Sequence, residues 1–345
     1  MDSALVVGGT RFIGRHLVEE LLAHDYRVTT FNRGQHDDPF AEDDRVHHVQ
    51  GDRTDRKALL TAKREVEPDA VFDCVAYKPR EVENAIDIFA GVDAYVYVSS
   101  GAAYADEDVP KREDETELER CTAEQATDDS PETYGPRKAA GDRIVFEAAE
   151  RSRQTTSDGL SERSSDNGVN AMSVRPPVVY GPHDYTERLA YWVDRVAEQD
   201  EVVVPGDGTN LWQRVFVEDV ARGLRLVAEE GTPGEAYNVG DRNAVTLDRT
   251  LDLIADALGT DVERAYTSPR ELSIVDLDLG DFPLYRDYPH LLDTSKVEAL
   301  GFESTPVEEA MEKTVDAHRE NGLAGPDEAP DREDEERLLD VLGTV

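Results

Sequence analysis

The chain opens on an apolar run, Ala4-Leu5-Val6-Val7, that stops at Gly8-Gly9, and from Ile13 the apolar residues return at helical spacing at Leu17, Leu21 and Leu22. This pattern predicts a strand, a tight turn and a helix. The strand signature recurs from Arg27 to Phe31, Arg45 to Val49, Ala70 to Ala76 and Ala94 to Ser100, with helical stretches from Lys57 to Val66 and from Glu83 to Ala90. Strands alternating with helices predict right-handed crossovers and a parallel sheet covered on both faces. Periodicity fails from Asp106 to Asp129 and from Arg151 to Gly168, which read as loops or insertions outside the core. A strand from Ala171 to Arg175 then leaves through the stiff segment Pro176-Pro177-Val178-Val179-Tyr180-Gly181-Pro182. Beyond it lie an amphipathic stretch from Arg188 to Ala197, a strand and turn from Val202 to Gly208, a helix from Asp219 to Ala228, a short strand from Tyr237 to Gly240 and a helix from Leu247 to Leu258. The stretch from Asp327 to Glu336 reads as an acidic tail, and no internal repeat is visible.

These elements divide into two expected regions. Residues 1–176 with 212–240 form a dinucleotide-binding domain, and residues 177–211 with 241–345 form a smaller substrate-binding region. Charge then narrows the partners. With 37 Lys+Arg against 76 Asp+Glu in 345 residues, the formal net charge is −39, a field that repels nucleic-acid phosphates and anionic membrane surfaces. General nucleic-acid binding is not expected, and no apolar run reaches the roughly 20 residues needed to span a bilayer. The acids are spread over the whole chain, which fits a protein of salt-loving cells, where molar salt screens the self-repulsion. Two cysteines, Cys74 and Cys121, make neither a disulfide framework nor a Cys-rich zinc site, so a cytoplasmic setting is expected.

The chemistry begins at the first turn. Glycines between a strand and a helix let backbone N–H groups and the helix N-terminus face a pyrophosphate, and Gly8, Gly9 and Gly14 stand where that requires them. The whole segment Gly8-Gly9-Thr10-Arg11-Phe12-Ile13-Gly14 is therefore the expected cofactor loop. At the end of the second strand, where an acid would hold the adenosine ribose, Asn32-Arg33 stands instead. An arginine there favours a 2′-phosphate, so NADP is preferred over NAD. Asp52 reads equally as an acceptor for an adenine amino group and as a cap for the following helix. Ala76 is placed beside the cofactor as a small residue permitting close approach. Tyr134 and Lys138 lie four apart, on one face of a helix if one runs on from Lys138; a cation beside a phenol lowers its pKa and makes it a usable acid/base, while Lys138 can also hold a ribose hydroxyl.

The remaining candidates are subsidiary. His47 and His48, adjacent on a strand, point to opposite faces, and no metal site is expected. His183, after the stiff turn, reads either as a lining residue of a substrate pocket or as a turn stabiliser. Cys74 reads as a small buried hydrophobe, and Trp192 and Trp212 as packing residues.

Taken together, the stretches Val7-Gly8-Gly9-Thr10-Arg11-Phe12-Ile13-Gly14, Tyr97-Val98-Ser99-Ser100-Gly101-Ala102-Ala103-Tyr104, Tyr134-Gly135-Pro136-Arg137-Lys138, Arg175 to Pro182 and Val217-Glu218-Asp219-Val220 resemble the extended short-chain dehydrogenases/reductases. The group within them is the NAD-dependent epimerase/dehydratase family, and the resemblance covers roughly residues 4 to 260. It implies a Rossmann α/β fold, a doubly wound parallel sheet with a smaller substrate domain, and homodimerisation through helices that include the one carrying Tyr134. It also implies that Tyr134 is the acid/base, that Lys138 anchors the nicotinamide ribose and that Ser100 holds the reacting oxygen. Ser100 is chosen over Ser99 because the family's serine or threonine lies four residues before the tyrosine matched by Tyr104. The implied activity is that of an NAD(P)-dependent epimerase or oxidoreductase on a secondary alcohol or ketone of a small molecule, with a nucleotide sugar in view. The alternatives are an NADPH-dependent ketone reductase and a non-catalytic dinucleotide- or RNA-binding protein.

Departures from the family pattern carry information too. Arg11 occupies the place of the middle glycine. Gly101-Ala102 stands where sugar 4,6-dehydratases carry an Asp-Glu pair, which argues against dehydration by that route. Val178 and Trp212 replace an asparagine and an arginine that contact the substrate nucleotide in nucleotide-sugar enzymes, and Arg214 or Arg286 is then the candidate source of that charge. The Gly-Gly-Thr-Arg-Phe-Ile-Gly loop also resembles chloroplast stem-loop RNA-binding relatives, in which the tyrosine of the Tyr/Lys pair is often missing.

Overall fold

A computed structural model describes residues 1–157, 169–186, 188–321, 326 and 329–343, leaving aside the side chains of 154–157 and 321. β1 (Ser3–Val7), α1 (Phe12–Ala23), β2 (Arg27–Asn32), β3 (Val46–Gln50), α2 (Arg56–Val66) and β4 (Ala70–Asp73) follow one another in the alternation the apolar pattern predicts. α3 (Pro79–Ile88) begins four residues before Glu83. Pro79 suits a first helical turn, and the Glu81 carboxylate accepts from the amides of Tyr77 and Lys78 at 2.8 and 3.0 Å. After β5 (Ala94–Val98), α4 (Tyr134–Ser157) runs into the stretch expected to be loop from Arg151. The rest of that stretch, 158–168, lies outside the described residues. The chain continues through β6 (Ala171–Arg175), β7 (Val178–Tyr180), α5 (Arg188–Glu198), β8 (Glu201–Pro205), β9 (Arg214–Phe216), α6 (Val217–Glu230), β10 (Ala236–Asn238), α7 (Leu247–Leu258) and β11 (Glu263–Thr267). The short helices α8 (Pro269–Leu272) and α9 (Ser295–Glu298) precede α10 (Val307–Asn321) and α11 (Arg332–Leu342). α11 corrects the expected acidic tail. Asp331 caps it by accepting from the amide of Asp334 at 2.9 Å, and Leu338 is fully buried.

The chain divides into two compact units. The first comprises Met1–Pro177, Val217–Gly240 and Leu292–Glu303. Its seven strands form one all-parallel sheet in the order β10-β6-β5-β4-β1-β2-β3. This is the doubly wound Rossmann arrangement, in which the strand order reverses between β1 and β4 and opens a crevice at their carboxyl ends. Every residue of β1, β4, β5 and β6 is buried, as helices on both faces require, whereas the edge strand β3 is half exposed. On that edge His47 lies 3.5 Å from Glu65 and His48 3.0 Å from Thr30. The segment 106–129 is not wholly outside the core. Tyr104 bridges Leu118, Lys111 bridges Leu292, and Lys111 and Thr116 are buried. Residues 292–303 belong to this unit, tied to it by the Lys111–Leu292 bridge and by the Lys296–Glu235 ion pair at 3.0 Å, whereas 212–216 belongs to the second.

The second unit comprises Val178–Phe216, Asp241–Leu291 and Ser304–Val345. β7 pairs with β9 and β8 with β11, each in parallel, and α5, α7 and α10 contribute to one core. Trp192 is wholly buried there, stacked on Phe282 with ring centroids 6.3 Å apart and donating to the Pro283 carbonyl at 2.7 Å. Its expected packing role is what the structure gives it. Among the described residues no helix is long and apolar enough to cross a membrane.

Candidate active site at the carboxyl ends of β1, β4 and β5

At the end of β1 the chain turns through Gly8, whose φ of +93° is left-handed. Gly14, one turn into α1, presses against it: a Cβ on Gly14 would stand 2.0 Å from the Gly8 carbonyl oxygen, and one on Gly9 would stand 2.7 Å from Thr30. The turn and the helix N-terminus therefore form a cradle that only glycine permits. Arg11, in the place of the family's middle glycine, leaves this backbone intact because it holds an ordinary extended conformation before α1, with its exposed guanidinium 3.4 Å from His36 Nε2. Thr10 and Ile13 are half-buried, and Phe12 is buried at the first position of the helix.

Along the same edge, Asn32 accepts from the Gly34 amide at 2.8 Å and reaches Thr10 Oγ1 at 3.5 Å, while Arg33 is exposed. Asp52 accepts from the Thr54 amide and hydroxyl at 2.8 and 2.7 Å; these bonds, with Arg33 and Arg53 nearby, hold its carboxyl below the usual range. Asp52 is not the cap of the following helix: Asp55 caps α2 by accepting from the Lys57 amide at 2.8 Å, and Asp52 closes the loop before it through one carboxylate oxygen.

The Tyr/Lys pair lies on α4, as the spacing predicts. Lys138 is buried, and its Nζ donates to the carbonyls of Ala76 at 2.9 Å and Val98 at 2.8 Å, at the exits of β4 and β5. Ala76 therefore contributes its carbonyl to the grip on Lys138. Three rings surround the ammonium: Tyr97 at 4.9 Å, Tyr77 at 5.1 Å and Tyr134 at 5.7 Å. Burial pulls the Lys138 pKa down to about 8, against the opposing pull of Asp73 and Asp142.

Ser100 follows β5 and starts a 3-10 turn, Gly101–Ala103, in which its Oγ accepts from the Ala102 amide at 3.2 Å and its O–H can still donate. α4 begins against this turn, since a Cβ on Gly135 would lie 2.4 Å from the Ala102 carbonyl oxygen. Glycine at 135 thus brings the Tyr134 end of α4 up to the Ser100 turn. Beneath it, Arg175 donates to Asp142 at 2.8 Å and to the Tyr104 hydroxyl at 2.8 Å, and Tyr104 donates to Asn238 at 2.8 Å.

One buried charged cluster lies outside the residues expected from the sequence. Asp73, fully buried at the end of β4, accepts from Arg53 Nη2 and from the Tyr95 hydroxyl. A carboxylate inside an otherwise apolar strand was the available signal, because a buried charge demands a partner. Cys74, next to it, is half-buried, and burial pushes its thiol pKa up, which favours the protonated thiol.

The two subsidiary substrate candidates are in the second unit. His183 has a left-handed φ of +65° and lines a small cavity with Pro182, Leu189, Val193 and His318. Arg214 is buried on β9 and donates from Nη2 to the Thr250 hydroxyl of α7. Arg286 lies between the rings of Trp212 and Tyr288, at 5.3 and 4.9 Å.

Comparison with known proteins agrees with this architecture. The model of the family described as "NAD dependent epimerase/dehydratase family" matches residues 4–240. The chloroplast stem-loop binding protein of 41 kDa b of Arabidopsis thaliana is 26% identical over 280 residues, 77% of this chain and 66% of that protein. The low-salt glycan biosynthesis protein Agl12 of Haloferax volcanii is 27% identical over 340 residues, 90% of this chain and 97% of that one. Among solved structures, UDP-glucose 4-epimerase of Thermotoga maritima with UDP-glucose superposes with a TM-score of 0.69 at 22% identity, covering 93% of this chain and 100% of that one.

Proposed function

Because the chain belongs to the NAD-dependent epimerase/dehydratase family, a family of enzymes that use a nicotinamide dinucleotide, we propose that it is an NAD(P)-dependent epimerase or oxidoreductase acting at a secondary alcohol or ketone of a sugar, with a nucleotide sugar as the substrate class. The observation that carries this reading is the grip of Ala76 and Val98 on Lys138 beside Tyr134. The residues present fit a dinucleotide: glycine at 8 and 14 lets the turn after β1 pack tightly against the start of α1, and the first turn of α1 supplies amide donors for a pyrophosphate. Gly8, Gly9, Thr10, Arg11, Phe12, Ile13 and Gly14 would hold it, with Asn32, Arg33, Asp52, Ala76 and Lys138 along its length. Arg33, at the end of β2 where no acid stands, favours the 2′-phosphate of NADP.

When bound, the dinucleotide supplies the hydride acceptor or donor. The chain's own residues manage the proton. Tyr134 Oη takes the proton from the substrate hydroxyl as it becomes a carbonyl, or returns it in the opposite direction, and Ser100 Oγ donates a hydrogen bond to that same oxygen. Lys138 favours the phenolate of Tyr134 by its charge and keeps a donor for a ribose hydroxyl. Gly101-Ala102 stands where sugar 4,6-dehydratases carry an Asp-Glu pair, which argues against dehydration by that route. A purely RNA-binding role is disfavoured by the net charge of −39 and by the complete Ser/Tyr/Lys set.

The test combines two assays in molar KCl. Incubation with NAD or NADP and a panel of nucleotide sugars, read by chromatography for inverted products and by absorbance for net reduction, is expected to give turnover that Tyr134→Phe lowers at least 100-fold. NADH or NADPH binding, followed by fluorescence, is expected to survive that substitution. Undiminished turnover in Tyr134→Phe would overturn the assignment.

A further inference from the structure

β4 is buried at every residue, yet it ends on a carboxylate. Asp73 is fully buried and is held by Arg53 Nη2 and by Tyr95 Oη at 3.0 Å. Arg53, from the loop after β3, is nine-tenths buried; its Nη1 lies 3.7 Å from Glu81 at the start of α3. Arg53 Nε and Nη1 and Asp73 Oδ1 make no hydrogen bond. A buried ion pair with unsatisfied atoms is weak support for a fold, since an apolar pair of similar volume commonly serves as well or better. Its position suggests another use. Asp73 lies in register with Tyr97 of β5, whose ring faces the Lys138 ammonium at 4.9 Å, and three residues beyond Asp73 the Ala76 carbonyl accepts from that ammonium.

We propose that Asp73 and Arg53 are positioning residues for the Tyr134/Lys138 pair: this buried charge pair fixes the exits of β4 and β5, whose carbonyls grip the Lys138 ammonium. The inference rests on the reading of Tyr134 and Lys138 as the acid/base machinery. The groups facing Lys138 come from every neighbouring element: Asp73, Cys74 and Tyr77 on and after β4, Tyr97 on β5, Arg53 after β3, and Tyr134 and Asp142 on α4. Among the charges Asp73 is the strongest influence raising the Lys138 pKa, Asp142 the next, and Arg53 opposes them. Removing Asp73 and removing Arg53 must therefore move Lys138 in opposite directions, which a merely structural role would not do.

The chain has seven lysines, so in the full-length protein labelled with [13Cε]lysine each signal can be followed by NMR against pH, and Lys138→Met identifies the one that matters. In Asp73→Asn the Lys138 midpoint is expected to fall by about one pH unit, and in Arg53→Gln it is expected to rise. If Asp73→Asn alone does not fold, Arg53→Leu combined with Asp73→Asn removes both members of the pair and is expected to give a smaller fall. A midpoint that stays put, or moves the same way in Asp73→Asn and Arg53→Gln, overturns the proposal. This readout needs neither substrate nor dinucleotide. Opposite shifts together with full turnover by Tyr134→Phe would sink the proposed function while leaving the charge pair's control of Lys138 standing. An unmoved midpoint with an inactive Tyr134→Phe would sink only the charge pair's role.

Discussion

Lys138 donates a 2.8 Å hydrogen bond to the main-chain carbonyl of Val98, so the lysine proposed to assist Tyr134 is anchored to the sheet. That anchorage has a thermodynamic signature. In the unfolded chain the ammonium keeps its proton up to about 10.5, whereas burial in the fold brings its pKa down to about 8. Between these values the unfolded chain binds more protons, so stability rises with pH across that window, and below about 8 the full penalty of burying the charge is present. The contribution is on the order of 3 kcal/mol. Urea unfolding of the wild type and of Lys138→Met at pH 7.5, 9 and 10.5 is expected to show the wild type gaining on the variant by that amount. Parallel pH curves would mean that Lys138 is not charged and buried in the way described.

Arg175 and Asp142 form a second buried pair, both wholly inaccessible, with Asp142 one helical turn beyond Lys138 and Arg175 bonded to the tyrosine that ends the Ser100 turn. Truncating one partner strands the other charge in the core. Arg175→Met and Asp142→Leu are each expected to cost about 3–5 kcal/mol of folding stability, whereas the double variant is expected to lose less than the sum. A denaturation double-mutant cycle measures this, and strict additivity would show that the two charges do not depend on each other.

The parts of this molecule legible in its sequence were those written in short-range patterns. The Gly8/Gly14 turn, the alternation of buried strands and helices, and the four-residue spacing of Tyr134 and Lys138 all depend on neighbours within a dozen residues. The exit of β2 at Asn32 is of the same kind. Lys111 escaped because a lysine in a run of acids reads as surface; its burial depends on Leu292, far along the chain. α11 escaped for a related reason. Its acids look like a solvated tail, but Asp331 caps it, Arg332 pairs with Glu336 at 3.2 Å, and the buried Glu335 receives Tyr191 and Arg195 from α5. The Arg53/Asp73 pair was half legible: Asp73 announced a buried charge, but nothing local identified its partner.

The glycine cradle gives the most direct test of the dinucleotide site. A methyl group at position 14 meets the Gly8 carbonyl at 2.0 Å, a backbone atom that cannot rotate away, so the start of α1 must move off the turn. That movement displaces the amides that would face a pyrophosphate. Gly14→Ala is therefore expected to weaken NADH or NADPH binding at least ten-fold in a fluorescence titration and to cost about 1–3 kcal/mol of stability. Gly280 supplies the control, because a Cβ there meets nothing within 4 Å and the backbone is not left-handed. Gly280→Ala is expected to bind like the wild type and to change stability by no more than about 0.5 kcal/mol. If Gly14→Ala binds dinucleotide as tightly as Gly280→Ala, the first turn of α1 is not where the pyrophosphate lies, and the cofactor loop would have to be sought elsewhere on the sheet edge.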